Sequence, residues 1–267
     1  MKPSVLVTGA SQGIGAATAQ LLADRGFRVF GTSRDSAAAP GTAAQVEWVA
    51  LDVRDENSVV RCVAEVLAAC EHLDGLVCNA GYGIFGSVEE VSLSQAVDQF
   101  ETNFFGVLRT LRAVLPGMRR ARRGRIVLVG SLAGRAPIPF QAHYSASKAA
   151  TEALALALHG ELHAFGIPVS LVEPGDIDTG FNAAMDWGDP AASAYAPQAS
   201  AVERVIRDAL PRAPGPEAVA QVIHRALTAR RPRVRYTVGA GSGQVPWARR
   251  LLPDRLSLRL LRSHFGL

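Results

Sequence analysis

The 267-residue chain predicts a single doubly wound α/β domain: a seven-stranded, mainly parallel sheet with helices on both faces. Three observations carry that expectation. Short apolar runs alternate with helical patterns almost throughout, as in a parallel sheet buried on both sides. The first run passes directly into a glycine-rich turn, Thr8-Gly-Ala-Ser-Gln-Gly13-Ile-Gly15, that opens a helical pattern. No stretch reads as a linker between two domains, so residues 1–267 are expected to share one fold.

The elements follow in order. A strand is expected over Ser4–Thr8, then a helix over Gly13–Arg25 that begins in the glycine turn. Strands over Arg28–Thr32 and Glu47–Leu51 flank Asp35–Ala44, which is small, polar and Pro/Gly-containing and reads as a loop. A helix over Glu56–Ala69, a strand over Gly75–Asn79, a helix over Ser92–Arg120 and a strand over Arg125–Gly130 continue the alternation. A helix over Tyr144–Phe165 and a strand over Pro168–Glu173 come next. Gly180–Pro214 is longer than an ordinary connection and reads as a lid. A helix over Pro216–Thr228 and a strand over Arg233–Val238 complete the sheet, leaving a C-terminal extension, 239–267, without a catalytic pattern. In such a sheet ligands bind beyond the carboxyl ends of the strands, where strand order reverses.

Composition narrows the functional classes. Hydrophobic residues make up 48% and charged residues 19%, a globular balance, and no run approaches the roughly 18 apolar residues of a membrane span. Met1-Lys-Pro-Ser leads straight into the first strand without a signal-peptide pattern, so a cytoplasmic location is expected. Cys62, Cys70 and Cys78 are odd in number and lack metal-ligand spacing, which predicts small buried thiols and no metal site. The net charge of +4 is local, in Arg119–Arg123, Arg230-Arg231 and five arginines between Arg249 and Arg262. Such patches attract anions or acidic lipid, or simply solvate helix ends. No nucleic-acid-binding motif accompanies them, so no nucleic-acid partner is expected.

Two features carry chemistry. In Tyr144-Ser-Ala-Ser-Lys148, residues i and i+4 share a helical face. The Lys148 ammonium can therefore sit beside the Tyr144 phenol and lower its pKa from the ordinary value of about 10. Such a phenol can protonate a carbonyl as hydride arrives. In the glycine turn, missing side chains let backbone N–H groups and the helix dipole approach a pyrophosphate, though the spacing G-x-x-x-G-x-G departs from the G-x-G-x-x-G fingerprint. Ser131 ends a strand and can donate to a developing oxyanion, or serve only as a cap. Asn103 can likewise be a local backbone binder and Lys148 a surface cation.

With Thr8-Gly9-x-x-x-Gly13-x-Gly15, Asn79-Ala80-Gly81, Asn103, Ser131, Tyr144-x-x-x-Lys148 and Pro174-Gly175 with Thr179 in order, the chain resembles the short-chain dehydrogenase/reductase family over nearly its whole length. The resemblance implies a Rossmann-type domain in which Tyr144 is the catalytic acid/base and Ser131 holds the substrate oxygen. It further implies that Lys148 binds the nicotinamide ribose and tunes Tyr144, while Asn103 supports a water-linked proton relay. Gly9, Ser11, Gln12, Gly13, Ile14 and Gly15 would cradle the cofactor phosphates, and Asp52 with Val53 would contact the adenine. Asn79, Ala80 and Gly81 would line the cofactor groove, and Pro174, Gly175, Ile177 and Thr179 would hold the nicotinamide end.

At the end of the second strand an acidic residue would bind a free ribose 2′-hydroxyl, and a basic one a 2′-phosphate. Gly31-Thr32-Ser33-Arg34 supplies two hydroxyls and a guanidinium, so NADP(H) is favoured over NAD(H), with Arg34 on the phosphate and Ser33 or Thr32 beside it. Asp35 offers Arg34 a different partner, and Gln12 is neutral where some NADP-using relatives carry a basic residue.

Leu132, Ile138, Phe140, His143, Phe181, Met185 and Trp187 are the expected substrate wall, an apolar pocket unless they are simply packing. Ile138-Pro-Phe140, Tyr144–Lys148 and Val172-Glu-Pro-Gly175 resemble the hydroxysteroid and retinol dehydrogenase branch, which implies a hydrophobic ketone, aldehyde or alcohol as substrate. Arg135 meets either a substrate anion or an acidic neighbour. From Asp254 to Arg262, Arg255, Arg259 and Arg262 form one helical stripe with leucines on the rest. That segment can lie on an anionic membrane as a peripheral contact, or pack on its own subunit or a partner and cover the cleft; packing is the favoured reading. Family likeness implies a homodimer or homotetramer through the helices over Ser92–Arg120 and Tyr144–Phe165. Two other functions remain open on this fold: a non-redox isomerase, dehydratase or cyclase, and a nucleotide-sensing binding protein.

Overall fold

The computed structural model describes residues 2–35, 45–182, 185–187, 193–239 and 241–267, with backbone alone for residues 246 and 249. The expected loop beyond Asp35 and parts of the expected lid (183–184 and 188–192) lie outside the described residues.

Seven strands form one sheet: β1 Ser4–Val7, β2 Arg28–Ser33, β3 Val46–Ala50, β4 Gly75–Cys78, β5 Arg125–Val129, β6 Val169–Pro174 and β7 Arg235–Val238. Their order is β3-β2-β1-β4-β5-β6-β7, and each of the pairings is parallel. Parallel neighbours require crossovers, which the chain makes through α1 (Gly13–Asp24), α2 (Glu56–Ala69), α4 (Gly106–Ala121), α5 (Ala142–Glu161) and α7 (Pro216–Thr228). Strand order reverses between β1 and β4, which places the turns after these two strands side by side.

Side chains alternate across each strand and so feed two cores. Leu6, Phe30, Leu76, Ile126, Leu128 and Leu171 pack with α2, α4 and α5. Val5, Val7, Val29, Val77, Val127 and Val172 face α1 and α7. Cys62 and Cys78 are buried within the first core, and burial pushes both thiols up to about 12, whereas Cys70 is half-buried.

Two expectations are revised. The helix expected over Ser92–Arg120 is broken: α3 (Leu93–Phe100), closed at its start by a reciprocal Ser92/Gln95 capping box, passes into a π-turn at Glu101–Phe105 before α4 resumes. The lid contains a helix, α6 (Ala196–Ala209), whose Pro197 sits in the first turn, where the missing N–H costs no ladder bond. The C-terminal extension contains α8 (Val245–Leu251) and α9 (Asp254–His264), the latter covering the helical stripe expected over Asp254–Arg262. No described helix is long and apolar enough to cross a membrane.

One buried charge cluster joins the parts that flank the strand ends. The Glu173 carboxylate on β6, with no exposed side-chain surface, accepts both forks of Arg135 (2.7 and 3.0 Å) and a third bond from Arg235 on β7 (3.1 Å). Arg235 also donates to Glu152 on α5. Arg135 thus answers an acidic neighbour rather than a substrate. Burial pushes the Glu173 carboxyl up, and the two guanidiniums oppose that shift. Removing one partner of a buried pair leaves charge uncompensated. Arg135→Ala is therefore expected to cost about 3 kcal/mol in urea unfolding, and Arg135→Lys less; an alanine variant as stable as the parent would contradict this role.

Candidate active site

The turn after β1 is built for close backbone approach. Gly9 has φ +64°, and a Cβ there would stand 2.9 Å from Ala80 Cα; at Gly15 it would meet Gly9 O at 2.1 Å. Asn79, just past β4, holds this turn by donating from Nδ2 to the carbonyls of Thr8 (3.1 Å) and Gly9 (3.0 Å). The Thr8 hydroxyl accepts from the N–H groups of Asn79 (2.9 Å) and Ala80 (3.1 Å). Gln12 places no side-chain cap on α1, whose first turn holds no acidic residue, so its N–H groups remain for an anion. Across the crevice Thr179 approaches within 3.6 Å of where a Gly13 Cβ would stand. This stripped turn, uncapped helix and facing loop fit a dinucleotide lying over the ends of β1 and β4.

At the end of β2, Thr32 is buried and its hydroxyl accepts from Gly9 N–H (3.3 Å). It braces the glycine turn from a buried position, whereas Ser33 is half-buried and Arg34 exposed. Asp52, beyond β3, accepts from Arg54 N–H (2.9 Å), while buried Val53 packs against Gly106. Beyond β6, Gly175 N–H donates to Val238 O (2.8 Å), Ile177 is buried, and Thr179 Oγ1 accepts from Phe181 N–H (3.2 Å).

Tyr144 and Lys148 lie on the first turns of α5, beside the end of β5. Lys148 is buried, its Nζ donates to Val129 O (3.0 Å), and burial lowers it to about 8. Its Nζ lies 5.8 Å from the Tyr144 ring centroid. The Tyr144 phenol is pushed above its ordinary value, by desolvation first, against the opposing influence of the Ser131 hydroxyl. This corrects the expectation that Lys148 lowers the phenol: the ammonium is drawn to a main-chain carbonyl, and desolvation governs both groups. Ser131 is both cap and site residue, since its Oγ also accepts from Ala133 N–H (3.1 Å).

Asn103 stands in the π-turn, fully buried. Its Nδ2 donates to Tyr82 O (3.0 Å) and Ser147 Oγ (3.1 Å), and its Oδ1 accepts from Tyr82 N–H (3.0 Å). A Cβ on Gly81 would lie 3.0 Å from Asn103 Oδ1 and 3.7 Å from Lys148 Nζ, so the amide clamps the loop that borders the ammonium. The side chain is thus occupied in positioning.

The expected substrate wall assembles in large part. Ile138, Phe140, Phe181, Met185 and Trp187 join one apolar cluster with Phe85, Val202 and Phe265. Phe181 lies over Tyr144 (ring centroids 5.5 Å), and Phe85 contacts both Phe140 (5.7 Å) and Trp187 (4.8 Å). The lid end is tied down, because Phe85 N–H donates to Asp186 O (2.7 Å) and Asp186 N–H to Gly83 O (3.2 Å). Leu132 is buried beside Ser131 rather than in this cluster, and His143 is half-buried one residue before Tyr144. Sequence reasoning missed Phe85, Val202 and Phe265; only their apolar character in helical or loop context could have pointed to them.

A family model described as short chain dehydrogenase matches residues 3–188. The 3-ketodihydrosphingosine reductase of Bacteroides thetaiotaomicron is 44% identical over 182 residues, 68% of this chain and 66% of that protein, so the match spans just under two thirds of that relative. Estradiol 17-beta-dehydrogenase 1 of Rattus norvegicus is 36% identical over 87% of this chain and 72% of that one. A crystal structure of a short-chain dehydrogenase from Streptomyces avermitilis superposes with a TM-score of 0.83 and 30% identity, covering 100% of this chain and 96% of its own. Matched along its sequence and through its whole sheet, the chain belongs to the short-chain dehydrogenase/reductase family, on its hydroxysteroid and retinol dehydrogenase-like side, and is an NAD(P)-dependent oxidoreductase.

Proposed function

We propose that the protein interconverts a hydrophobic ketone or aldehyde and its alcohol, using NADP(H), with Tyr144 as acid/base. The observation that carries this reading is the position of the Tyr144 phenol, near enough to the Ser131 hydroxyl for it to oppose the rise in the phenol's pKa, and lying against Phe181 at the edge of an apolar cluster. A carbonyl there meets a proton donor and a second hydroxyl donor, while the carbon chain stays out of water.

The glycine turn and uncapped start of α1 would hold the cofactor pyrophosphate through Gly9, Ser11, Gln12, Gly13, Ile14 and Gly15. Ser33 and Arg34 would take the 2′-phosphate, Asp52 and Val53 the adenine, and Asn79–Gly81 the middle of the groove. Lys148, Pro174, Gly175, Ile177 and Thr179 would hold the ribose and nicotinamide end. A bound nicotinamide supplies hydride in the reducing direction and accepts it in the oxidising one. During reduction, Tyr144 gives its proton to the substrate oxygen and Ser131 donates a hydrogen bond to it. A phenol held above its ordinary pKa is protonated at neutral pH, the form reduction needs. Oxidation needs the phenolate, so it is favoured as pH rises. Lys148, beside the loop clamped by Asn103, stands where a proton can be returned to Tyr144. The relatives named a ketodihydrosphingosine reductase and an estradiol dehydrogenase support an apolar substrate.

Tyr144→Phe is expected to lower kcat/KM about 10²–10⁴-fold, the usual worth of a positioned proton donor, while NADPH affinity, read by fluorescence titration, stays near that of the parent. Undiminished turnover of a panel of apolar ketones and aldehydes would remove Tyr144 from the chemistry. Arg34→Ala is expected to raise the Kd for NADPH about 10–100-fold, the loss of charge-assisted bonds, with little effect on NADH; equal losses would reject the phosphate assignment.

A further inference from the structure

The charge of this chain is unevenly placed. Residues 1–238 carry 23 basic and 23 acidic side chains, so the whole net charge of +4 resides in residues 239–267, with five arginines and only Asp254 against them. This segment holds the helix pair α8 and α9, joined by Leu252 and Pro253.

Helix α9 shows three stripes. Ser257, Leu261 and Phe265, each four residues apart, turn inward, and Phe265 and Leu261 join the apolar cluster that contains Phe181. Arg255, Arg259 and Arg262 are exposed along a second stripe. Leu256 (44% exposed) and Leu260 (52%) form a third beside it. On α8, Trp247 (63%) and Leu251 (69%) again stand one turn apart with exposed Arg250 between them. Guanidiniums interleave these exposed hydrophobic side chains.

The geometry points to this helix pair as a docking surface for an anionic lipid bilayer. Exposed leucines and a tryptophan suit the acyl–headgroup boundary, arginine stems cover apolar surface while their heads meet lipid phosphates, and short helices of this kind lie in the interface plane. A second copy of the chain is disfavoured as occupant, because two such segments each carrying +4 repel where they would pair. The inner face of α9 packs on the cluster that covers Tyr144, so a docked protein presents its substrate side to the membrane and takes an apolar substrate from the bilayer. That last step rests on the proposed hydrophobic substrate; the docking does not.

The test is sedimentation of the full chain with vesicles of phosphatidylcholine alone and of mixed phosphatidylcholine and phosphatidylglycerol, a readout that needs no turnover. Binding is expected to the mixed vesicles, weakened by added salt, with a blue shift in tryptophan emission that Trp247→Phe removes. The triple variant Arg255→Glu/Arg259→Glu/Arg262→Glu should bind about a hundredfold more weakly or worse, the effect of three basic groups near a charged surface. Its melting temperature and its turnover of a water-soluble carbonyl should match the parent. Absence of sedimentation with the mixed vesicles, equal binding to both vesicle types, or equal binding by the folded triple variant would each overturn the proposal. So would concentration-dependent self-association through these residues in place of vesicle binding.

Discussion

Everything at this site depends on a cation kept out of water. The Lys148 ammonium is fixed on the Val129 carbonyl at the end of β5, where helix α5 crosses the edge of the parallel sheet. A buried ammonium needs a defined partner, and a main-chain carbonyl at a strand end is an immovable one. That bond sets the rotation of α5, and with it Tyr144 one turn earlier is brought to Ser131, at the end of the same strand. The buried carboxylate of Glu173 secures the arrangement from behind, binding Arg135 next to the Ser131 turn and Arg235 on β7, which in turn holds Glu152 on α5. Turn, helix and strand ends are thus fixed by two buried charged groups, each satisfied by groups distant in sequence.

The same desolvation determines the chemistry. Two groups that stand close enough to stabilise each other's charge are both governed by desolvation, with Lys148 lowered to about 8 and Tyr144 raised, each toward its neutral form. The phenol is a proton donor because it is desolvated near Ser131, and the cation serves geometry as much as electrostatics. The apolar cluster completes this environment. Phe181 covers the phenol ring, Phe85 bridges to Phe140 and Trp187, and the inner face of α9 closes the far side.

Much of this was legible in sequence, for identifiable reasons. Strand alternation between Leu6 and its valine neighbours, the glycines too close to backbone for any side chain, and the four-residue spacing of Tyr144 and Lys148 are local signals with one physical meaning each. Helix α6 was hidden because Ala196-Pro197 reads as a turn until the proline is seen to occupy a first-turn position. The π-turn around Asn103 adds one residue to a helix without any compositional mark. Arg135 with Glu173, 38 residues apart, and Thr32 with Gly9 are choices among partners that only the fold makes. The spacing of Tyr144 and Lys148 put them on one face but could not say which neighbour would draw the ammonium.

The most direct measurement is the near-ultraviolet phenolate titration of the cofactor-free protein, taken as the difference between the parent and its Tyr144→Phe variant. If burial governs this site, the difference signal shows a protonated phenol through neutral pH and a transition above the ordinary tyrosine value of about 10. A Tyr144 phenolate already present near neutral pH would contradict the account and return control of the phenol to the Lys148 charge.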